Sequence, residues 1–343
     1  MKRTVQERAL RISVVLPCRN AAAFLHSCIT SLEAQTFRQF EVIAVNDSST
    51  DETPHILSIW AQQDPRVRVF NTGSSGLVHA LNTGIREARC ALIARMDADD
   101  LAYPKRFEKQ LHAFDTDPDL VACGTRVRYF PREAVREGAL RYESWLNAVT
   151  EPAQIERDMF VECPIAHPTL MVRTETLRAV GGYRDRGWPE DYDLVLRLYA
   201  RRARMCNIAD VLLDWRERPD RFSRTDARYS EESFRRCKVF YLTATVLGDE
   251  SSVIIWGAGP VGKAFAKEFA EQGVRVRAFV DIDVRKIGQT VHGAPVLHPT
   301  QLVQNRGGAF ILSAVSGPGP RSEIRRALCA MGMHEGVDFL AVA

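Results

Sequence analysis

Short, mostly apolar runs alternate with helical patterns along the first part of the chain. Runs at residues 12–16, 41–45, 67–70 and 91–96 predict four buried strands. Between the first two runs, apolar side chains recur every three or four residues, which predicts a helix. Strands that alternate with helices indicate an open, largely parallel sheet, and therefore the α/β fold class.

Polar clusters follow three of the predicted strands, at residues 17–20, 46–51 and 97–100. Ligands of parallel α/β sheets bind beyond the carboxyl ends of the strands. These clusters therefore predict a binding site at one edge of the sheet.

A second region of strand and helix patterns begins near residue 250. We place a domain boundary at the polar segment 248–250, which gives domains at residues 1–248 and 249–343, with residues 226–248 as a helical linker. A strand from Val253 leads into Gly257-x-Gly259-x-x-Gly262, and Asp281 ends the strand after it. This is the local order of a dinucleotide-binding fingerprint. The region is short for a complete dinucleotide fold, so we expect a small Rossmann-like domain. Its glycine turn could bind a nucleotide or sugar-nucleotide, or the domain could have a structural or interaction role instead.

Composition argues against several classes of protein. The net charge is +3, without the strongly basic balance of a nucleic-acid binder. The eight cysteines include no C-x-x-C pair, and their scatter indicates a reducing compartment. No run approaches the roughly 18 apolar residues that span a bilayer. We expect a cytoplasmic protein, and peripheral contact with the inner face of the membrane stays open, as does the oligomeric state.

Two acidic motifs carry candidate chemistry. Asp97 and Asp99 flank one residue at a strand end, where a tight turn can direct carboxylates at a hard cation such as Mg²⁺ or Mn²⁺. A solvated acidic turn is the alternative. Glu190 and Asp191 begin a predicted helix, where the helix dipole alone favours acids. The functional alternative is a general base that takes the proton of an acceptor hydroxyl.

Five stretches in order resemble the family 2 inverting glycosyltransferases of the GT-A fold, over about residues 11–225. They are residues 14–20 (VVLPCRN), 45–51 (VNDSSTD), Gly76-Leu77 with Ala80-Leu81-Asn82, residues 95–100 (RMDADD) and residues 190–194 (EDYDL). Each motif alone is weak, whereas five in order are highly specific. The resemblance implies a GT-A nucleotide-diphospho-sugar transferase fold followed by the small Rossmann-like domain.

The resemblance also implies a role for each matching position. Donor-binding residues would be Pro17, Arg19, Asn20, Asp47, Asn82, Asp97 and Arg216. Asp99, with Asp97, would hold Mn²⁺ or Mg²⁺. Asp191, beside Glu190, would be the catalytic base, and His167 would lie on the acceptor side.

Two departures from the family pattern affect these assignments. Asn46-Asp47-Ser48 stands where paired acids and a glycine are usual, which puts the details of base recognition in doubt. Trp215-Arg216-Glu217-Arg218 stands where many members have arginine followed by histidine. Arg216 or Arg218 could contact the diphosphate, but a solvated loop arginine is the favoured alternative.

The resemblance predicts transfer of a sugar, by default from a UDP-sugar, to a hydroxyl of a glycan or lipid-linked glycan, with inversion, in cell-surface polysaccharide or lipopolysaccharide synthesis. One alternative is a sugar-nucleotide sensor or scaffold with a degenerate transferase domain. Another is an NAD-dependent oxidoreductase that binds its cofactor at Gly257, Gly259, Gly262 and Asp281. We do not expect NAD as a cofactor, because the second domain is short and no hydride-transfer partner is evident near the turn.

Overall fold

The computed structural model describes residues 10–247 and 252–343. The chain divides into two compact units. The first unit contains the described part of Met1–Pro152 together with Ile165–Arg186 and Asp193–Thr225. The second contains Ala153–Pro164, Gly187–Tyr192 and the described part of Asp226–Ala343. The boundary expected at residues 248–250 lies outside the described residues, and the two sequence-based domains stay a prediction.

The first unit is built on an eight-stranded sheet. Its strands are Ile12–Cys18 (β1), Phe40–Asp47 (β2), Val67–Thr72 (β3), Leu92–Arg95 (β4), Leu101–Ala102 (β5), Leu120–Phe130 (β6), Met171–Arg173 (β7) and Arg204–Arg216 (β8). The strand order is β3-β2-β1-β4-β7-β6-β8-β5. Strands β1 to β4 pair in parallel, whereas β7 runs antiparallel to both of its neighbours. The predicted parallel arrangement therefore holds for the part of the sheet that carries the polar strand ends.

Helices cover this sheet and fix the positions of its loops. They are Ala22–Glu33 (α1), Thr53–Gln63 (α2), Leu77–Glu87 (α3), Arg106–Thr116 (α4), Glu137–Ala148 (α5), Thr174–Ala179 (α7), the part of Glu190–Ala200 (α8) from Asp193 onward, and Phe222–Thr225 (α9). Helix Pro152–Asp158 (α6) belongs to the second unit from Ala153 onward, as does the start of α8. Every residue of β1 and β2 is buried, as expected of parallel strands covered on both faces. Helix α3 packs closely on β1, because a Cβ at Gly84 would lie 2.4 Å from a methyl carbon of Val15.

The second unit contains a smaller sheet. Its strands are Ser252–Trp256 (β9), Arg275–Val280 (β10), Thr290–Val291 (β11), Ala294–Leu297 (β12), Phe310–Ser313 (β13) and Phe339–Ala341 (β14), in the order β11-β12-β10-β9-β13-β14. Its helices are Glu231–Tyr241 (α10), Pro260–Glu271 (α11), Leu302–Asn305 (α12) and Pro318–Ala330 (α13). The π-helical residues Leu242–Leu247 continue α10. The predicted strand, glycine turn and helix are present as β9, Gly257–Gly259 and α11.

No helix among the described residues has both the length and the apolar character that a bilayer crossing requires.

Candidate active site

Three aspartates gather directly after β4. Asp97, Asp99 and Asp100 each place a carboxylate oxygen within 4.8 Å of the others. Asp100 is fully buried, and the other two are half-buried. Like charges this close repel one another, so such a cluster needs positive charge or protons.

The two carboxylate oxygens of Asp100 differ in their hydrogen bonding. Its Oδ1 accepts a hydrogen bond of 2.8 Å from the backbone N–H of Arg216, whereas its buried Oδ2 has no hydrogen-bond partner. Burial, followed by the charges of Asp99 and Asp97, raises the pKa of Asp100 well above its usual range. Three close carboxylates and an unpartnered buried oxygen are a donor set that suits Mg²⁺ or Mn²⁺, which prefer oxygen ligands.

Arginines surround the acidic cluster. Arg95 pairs with Asp97, and Arg218 Nε lies 3.1 Å from Asp99 Oδ2. Burial opposes the charge of Arg95, but Asp97, together with Tyr183 and Asp100, raises the pKa of Arg95 overall. Arg216 donates from Nε to the backbone oxygen of Asp99 at 2.7 Å, and its guanidinium lies over the rings of Phe24 and Phe130. Arg216 thus stabilises the acidic turn through its backbone, whereas contact of Arg216 with a diphosphate stays a prediction.

The turn after β1 and the end of β2 meet at the same edge of the sheet as this cluster, because β1 lies between β2 and β4. Asp47 accepts hydrogen bonds from the backbone N–H groups of Ser75 and Gly76 at 3.0 and 3.1 Å, and Arg19 lies 3.4 Å from its Oδ2. Asn20 Oδ1 accepts from the Thr50 N–H at 2.9 Å. The structure therefore brings Arg19, Asn20 and Asp47 together beyond the strand ends, while Pro17 lies buried within β1.

Ser48 replaces the glycine that is usual at this turn. Its φ of 50° is in the left-handed region, which favours glycine. The Ser48 hydroxyl donates to the Thr72 carbonyl at 2.9 Å and accepts from the Ser74 N–H at 2.7 Å. These bonds offset the strain of the serine and tie the turn to the end of β3.

Asn82 and His167 both contact Tyr183. The Asn82 side chain donates to the Tyr183 carbonyl at 2.9 Å and accepts from its N–H at 2.8 Å, so it holds the loop after α7. His167 Nε2 lies 2.7 Å from the Tyr183 hydroxyl. Burial, followed by the charge of Arg95, keeps the pKa of His167 well below its usual range, so this imidazole is neutral. Contacts of either residue with a substrate stay a prediction.

Glu190 and Asp191 begin α8 and have different surroundings. Glu190 is buried, and the Tyr229 hydroxyl lies 2.8 and 2.7 Å from its two carboxylate oxygens. Burial, followed by the charge of Asp191, raises the pKa of Glu190 to about 7. Asp191 is half-buried and accepts from the N–H of Tyr192 at 2.7 Å. The more accessible Asp191 is the better placed of the two to meet a substrate.

The raised pKa of Glu190 makes stability depend on pH. An unfolded glutamate has a pKa near 4.3, so the folded chain binds the proton of Glu190 more tightly than the unfolded chain does. The stability that this proton contributes is complete below the unfolded pKa and is lost as pH rises through the folded pKa of about 7. We expect the Glu190→Gln variant, which does not ionise, to gain stability relative to the parent by a few kcal/mol over this range, since each pKa unit is worth about 1.4 kcal/mol. Urea unfolding of both proteins at about pH 5 and about pH 8 measures the difference, and a constant difference would contradict the assignment.

The second unit contains a cavity of about 470 Å³ at the ends of β9 and β13. Gly257, Gly259, Asp281 and Lys286 contribute to its wall, which is otherwise mainly apolar. A Cβ at Gly262 would lie 1.8 Å from the Gly257 carbonyl oxygen, whereas a Cβ at Gly259 would enter open space. Gly262 therefore serves close packing, and Gly259 faces room for a ligand.

Asp281 is already engaged at the edge of this cavity. Its carboxylate accepts from the N–H groups of Ala258 and Asp283, each at 2.9 Å, and from Lys286 Nζ at 3.0 Å. Burial opposes its charge, but these hydrogen bonds lower the pKa of Asp281. The carboxylate thus fixes the glycine turn and places the Lys286 ammonium at the cavity.

Sequence reasoning missed several residues of these sites. Asp100 could have been predicted as a member of the acidic cluster, because it is the third acid of the D-A-D-D run. Arg95 precedes that run and lies inside a strand pattern that reads as buried. Tyr229 lies 39 positions from Glu190, and nothing local in the sequence connects them.

Comparison with known proteins adds independent findings. The glycosyl transferase family 2 model matches residues 13–181, and a CoA binding domain model matches residues 249–327. The putative glycosyltransferase EpsE of Bacillus subtilis is 30% identical over 225 residues, which cover 64% of this chain and 78% of that protein. The amylovoran biosynthesis glycosyltransferase AmsE of Erwinia amylovora is 30% identical over 197 residues, which cover 57% of this chain and 71% of that protein.

A solved structure shares the fold. TarS of S. aureus, in complex with UDP-GlcNAc, superimposes with a TM-score of 0.55 at 16% identity, covering 76% of this chain and 72% of that chain. These findings confirm the predicted GT-A fold and the presence of a Rossmann-like domain after it.

Proposed function

Since the chain belongs to glycosyl transferase family 2, we propose that it transfers a sugar with inversion from a nucleotide-sugar, by default a UDP-sugar, to an acceptor hydroxyl. The observation that carries this proposal is the cluster of Asp97, Asp99 and Asp100 at the end of β4. It lies beyond the strand ends of a parallel α/β sheet, where ligands of such sheets bind.

The acidic cluster would hold a divalent cation. Asp99 and Asp97 are the proposed ligands, and the unpartnered Oδ2 of Asp100 supports a cation at this position. Once bound, the cation would neutralise charge on the departing diphosphate. Arg95 and Arg218 fix the orientations of the two ligand carboxylates through their ion pairs.

The donor nucleoside is assigned to the loops after β1 and β2. Asp47 would face the base, held in place by the N–H groups of Ser75 and Gly76. Arg19 and Asn20 flank this carboxylate on the neighbouring loop. Asn82, Pro17 and Arg216 complete the proposed donor site, in supporting positions.

Asp191 is the proposed catalytic base. It would take the proton of the acceptor hydroxyl, whose oxygen attacks the anomeric carbon opposite the leaving diphosphate. A single displacement of this kind inverts the anomeric centre. Glu190, held by Tyr229, keeps the start of α8 in place, and His167 is the proposed contact on the acceptor side.

The biological context comes from the relatives. AmsE is described as an amylovoran biosynthesis glycosyltransferase, which supports a glycan or lipid-linked glycan acceptor in polysaccharide synthesis. We place this activity in the cytoplasm. The alternative of a non-catalytic sugar-nucleotide sensor is disfavoured, because Asp97, Asp99 and Asp191 are all present.

A screen of nucleotide-sugars by thermal shift, with Mn²⁺ and with EDTA, tests the donor assignment. A ligand at 100 times its Kd adds about 2.7 kcal/mol of stability. We expect one donor class to stabilise the full chain in Mn²⁺ and to lose most of this effect in EDTA. If no nucleotide-sugar stabilises the protein under either condition, the donor assignment is wrong.

We also propose that the cavity of the second unit binds a nucleotide through its phosphate. The open turn at Gly259 lets the backbone approach a phosphate at the N-terminus of α11, and the ammonium of Lys286, paired with Asp281, can donate a hydrogen bond to it. The match to a CoA binding domain model supports a nucleotide of some kind. The oxidoreductase alternative is weaker, because the Asp281 carboxylate that would bind a ribose already accepts three hydrogen bonds.

A substitution in the glycine turn tests this second site without disturbing the backbone. Gly259 has a φ of −87°, which any residue adopts, so Gly259→Leu should place its side chain in the cavity without straining the backbone. We expect calorimetry with coenzyme A, ADP and NAD to show binding of at least one of them to the full chain and loss of that binding in Gly259→Leu. Gly319→Leu, at an exposed position of α13 outside the cavity, is the control. Equal binding by both variants would refute the site.

A further inference from the structure

The segment Ala153–Pro164 belongs to the same compact unit as Gly187–Tyr192, which contains the Glu190–Asp191 pair, and as the C-terminal sheet. Met159 and Phe160 in this segment are fully buried. The segment is therefore packed into the second unit, where it contacts both the C-terminal region and the start of α8.

Toward the C-terminal sheet, the contact is a buried ion pair. The Asp158 side chain is 4% exposed and pairs with Arg325 of α13, and with Arg157 at 2.8 Å. Burial opposes its charge, but hydrogen bonds from both arginines lower the pKa of Asp158, so it is ionised at neutral pH. Arg325 also donates from Nε to Glu335 at 2.7 Å. Removal of Arg325 would leave Arg157 as the ion-pair partner of Asp158 and would break the link between Asp158 and α13.

Toward the proposed base, the contact is made by the next residue. The Met159 carbonyl accepts a hydrogen bond of 2.7 Å from the hydroxyl of Tyr192, which is fully buried. Tyr192 in turn donates its N–H to Asp191 Oδ1 at 2.7 Å. A continuous series of contacts therefore runs from Arg325 through Asp158, Met159 and Tyr192 to Asp191.

A second attachment holds the far end of the same segment. The buried Lys238 donates to the carbonyl oxygens of Val161 at 2.7 Å and Val342 at 3.1 Å. Burial lowers the pKa of Lys238. Because this attachment does not involve Arg325, the segment keeps one anchor when the ion pair is removed.

We propose that Arg325 is a positioning residue for sugar transfer, which holds Asp158 and thereby keeps Tyr192 and the adjoining Asp191 in place. This inference rests on the proposed role of Asp191 as the base. It assigns to the C-terminal region a part in the chemical step that is separate from donor binding. Helix α13 also lines the cavity of the second unit through Ile324 and Ala327, so an occupant of that cavity contacts the element that carries Arg325.

Kinetics of the full chain test this proposal. We expect Arg325→Met to lower kcat per folded protein by about 10- to 100-fold, because a displacement of about 1 Å costs this much in an oriented reaction. The donor KM should not change, since the proposed donor residues lie in the first unit. Arg325→Lys, which keeps the charge, should recover part of kcat. If Arg325→Met does not fold, the nearly isosteric Asp158→Asn is expected to show the same division between kcat and KM.

Glu335→Gln is the matched control, because it removes the other ion-pair partner of the same guanidinium and leaves Asp158 paired. It should retain kcat. A parental kcat in folded Arg325→Met, or equal losses in Arg325→Met and Glu335→Gln, would overturn the positioning role. If both Arg325→Met and Asp191→Asn retain full activity, the proposed role of Asp191 as the base is wrong. If Asp191→Asn loses activity and Arg325→Met retains it, only the positioning role of Arg325 is wrong.

Discussion

Asp191→Asn is expected to lower kcat by about 10²–10⁴, the usual range for loss of acid–base help, while donor affinity is retained. The carboxamide keeps the size of the side chain and can still accept the N–H of Tyr192 through its oxygen. It cannot take a proton from the acceptor hydroxyl. Steady-state kinetics for kcat and calorimetry for donor affinity measure the two quantities separately.

Glu190→Gln distinguishes between the two acids of the pair. Glu190 is buried beneath Tyr229, so its amide variant should affect stability more than chemistry. If Glu190→Gln loses kcat by 10²–10⁴ and Asp191→Asn does not, the base is Glu190 and our assignment is reversed. The product should have an inverted anomeric centre, and retention would exclude a single displacement.

Asp99→Asn is expected to abolish most donor-dependent turnover. The substitution removes a charged ligand from the Asp97–Asp99–Asp100 cluster while it nearly preserves shape. Mn²⁺ should then no longer strengthen the binding of UDP, because the remaining carboxylates hold the cation less tightly. Calorimetric titration of UDP with and without Mn²⁺ measures this effect directly.

Asp220→Asn is the matched control for the metal prediction. Arg218 pairs with Asp99 through Nε and with Asp220 through Nη1, so each variant removes one ion pair of the same guanidinium. Asp220 is exposed and lies outside the acidic cluster, so its variant should retain turnover. Equal losses in the two variants would mean that Asp99 acts through Arg218 and not through a cation.

The parts of the fold and site that follow from sequence are those encoded by local patterns. Buried strands β1, β2 and β4 have mostly apolar runs, and their polar ends converge because parallel strands present their carboxyl ends at one edge. The close packing of the turn Gly257–Gly262 is likewise local, since a Cβ at Gly262 would lie 1.8 Å from the carbonyl oxygen of Gly257.

The parts that sequence could not give depend on contacts between distant residues. Ala153–Pro164 belongs to the second unit, where Asp158 pairs with Arg325, which lies 167 positions away in the sequence. Glu190 differs from Asp191 in burial because of the packing around the start of α8, and adjacent acids look equivalent in a sequence. The bonds of Asn82 to the Tyr183 backbone, 101 positions away, belong to the same class.

The release of nucleoside diphosphate from a panel of nucleotide-sugars by the full chain, with water as the acceptor of the sugar, tests the central claim most directly. Assays in Mn²⁺ and in EDTA, with Asp191→Asn in parallel, separate metal dependence from acid–base chemistry. We predict that one donor is consumed in Mn²⁺, that consumption stops in EDTA, and that Asp191→Asn binds this donor but consumes it about 10²–10⁴ times more slowly. Consumption that continues unchanged in EDTA and in Asp191→Asn would contradict the account.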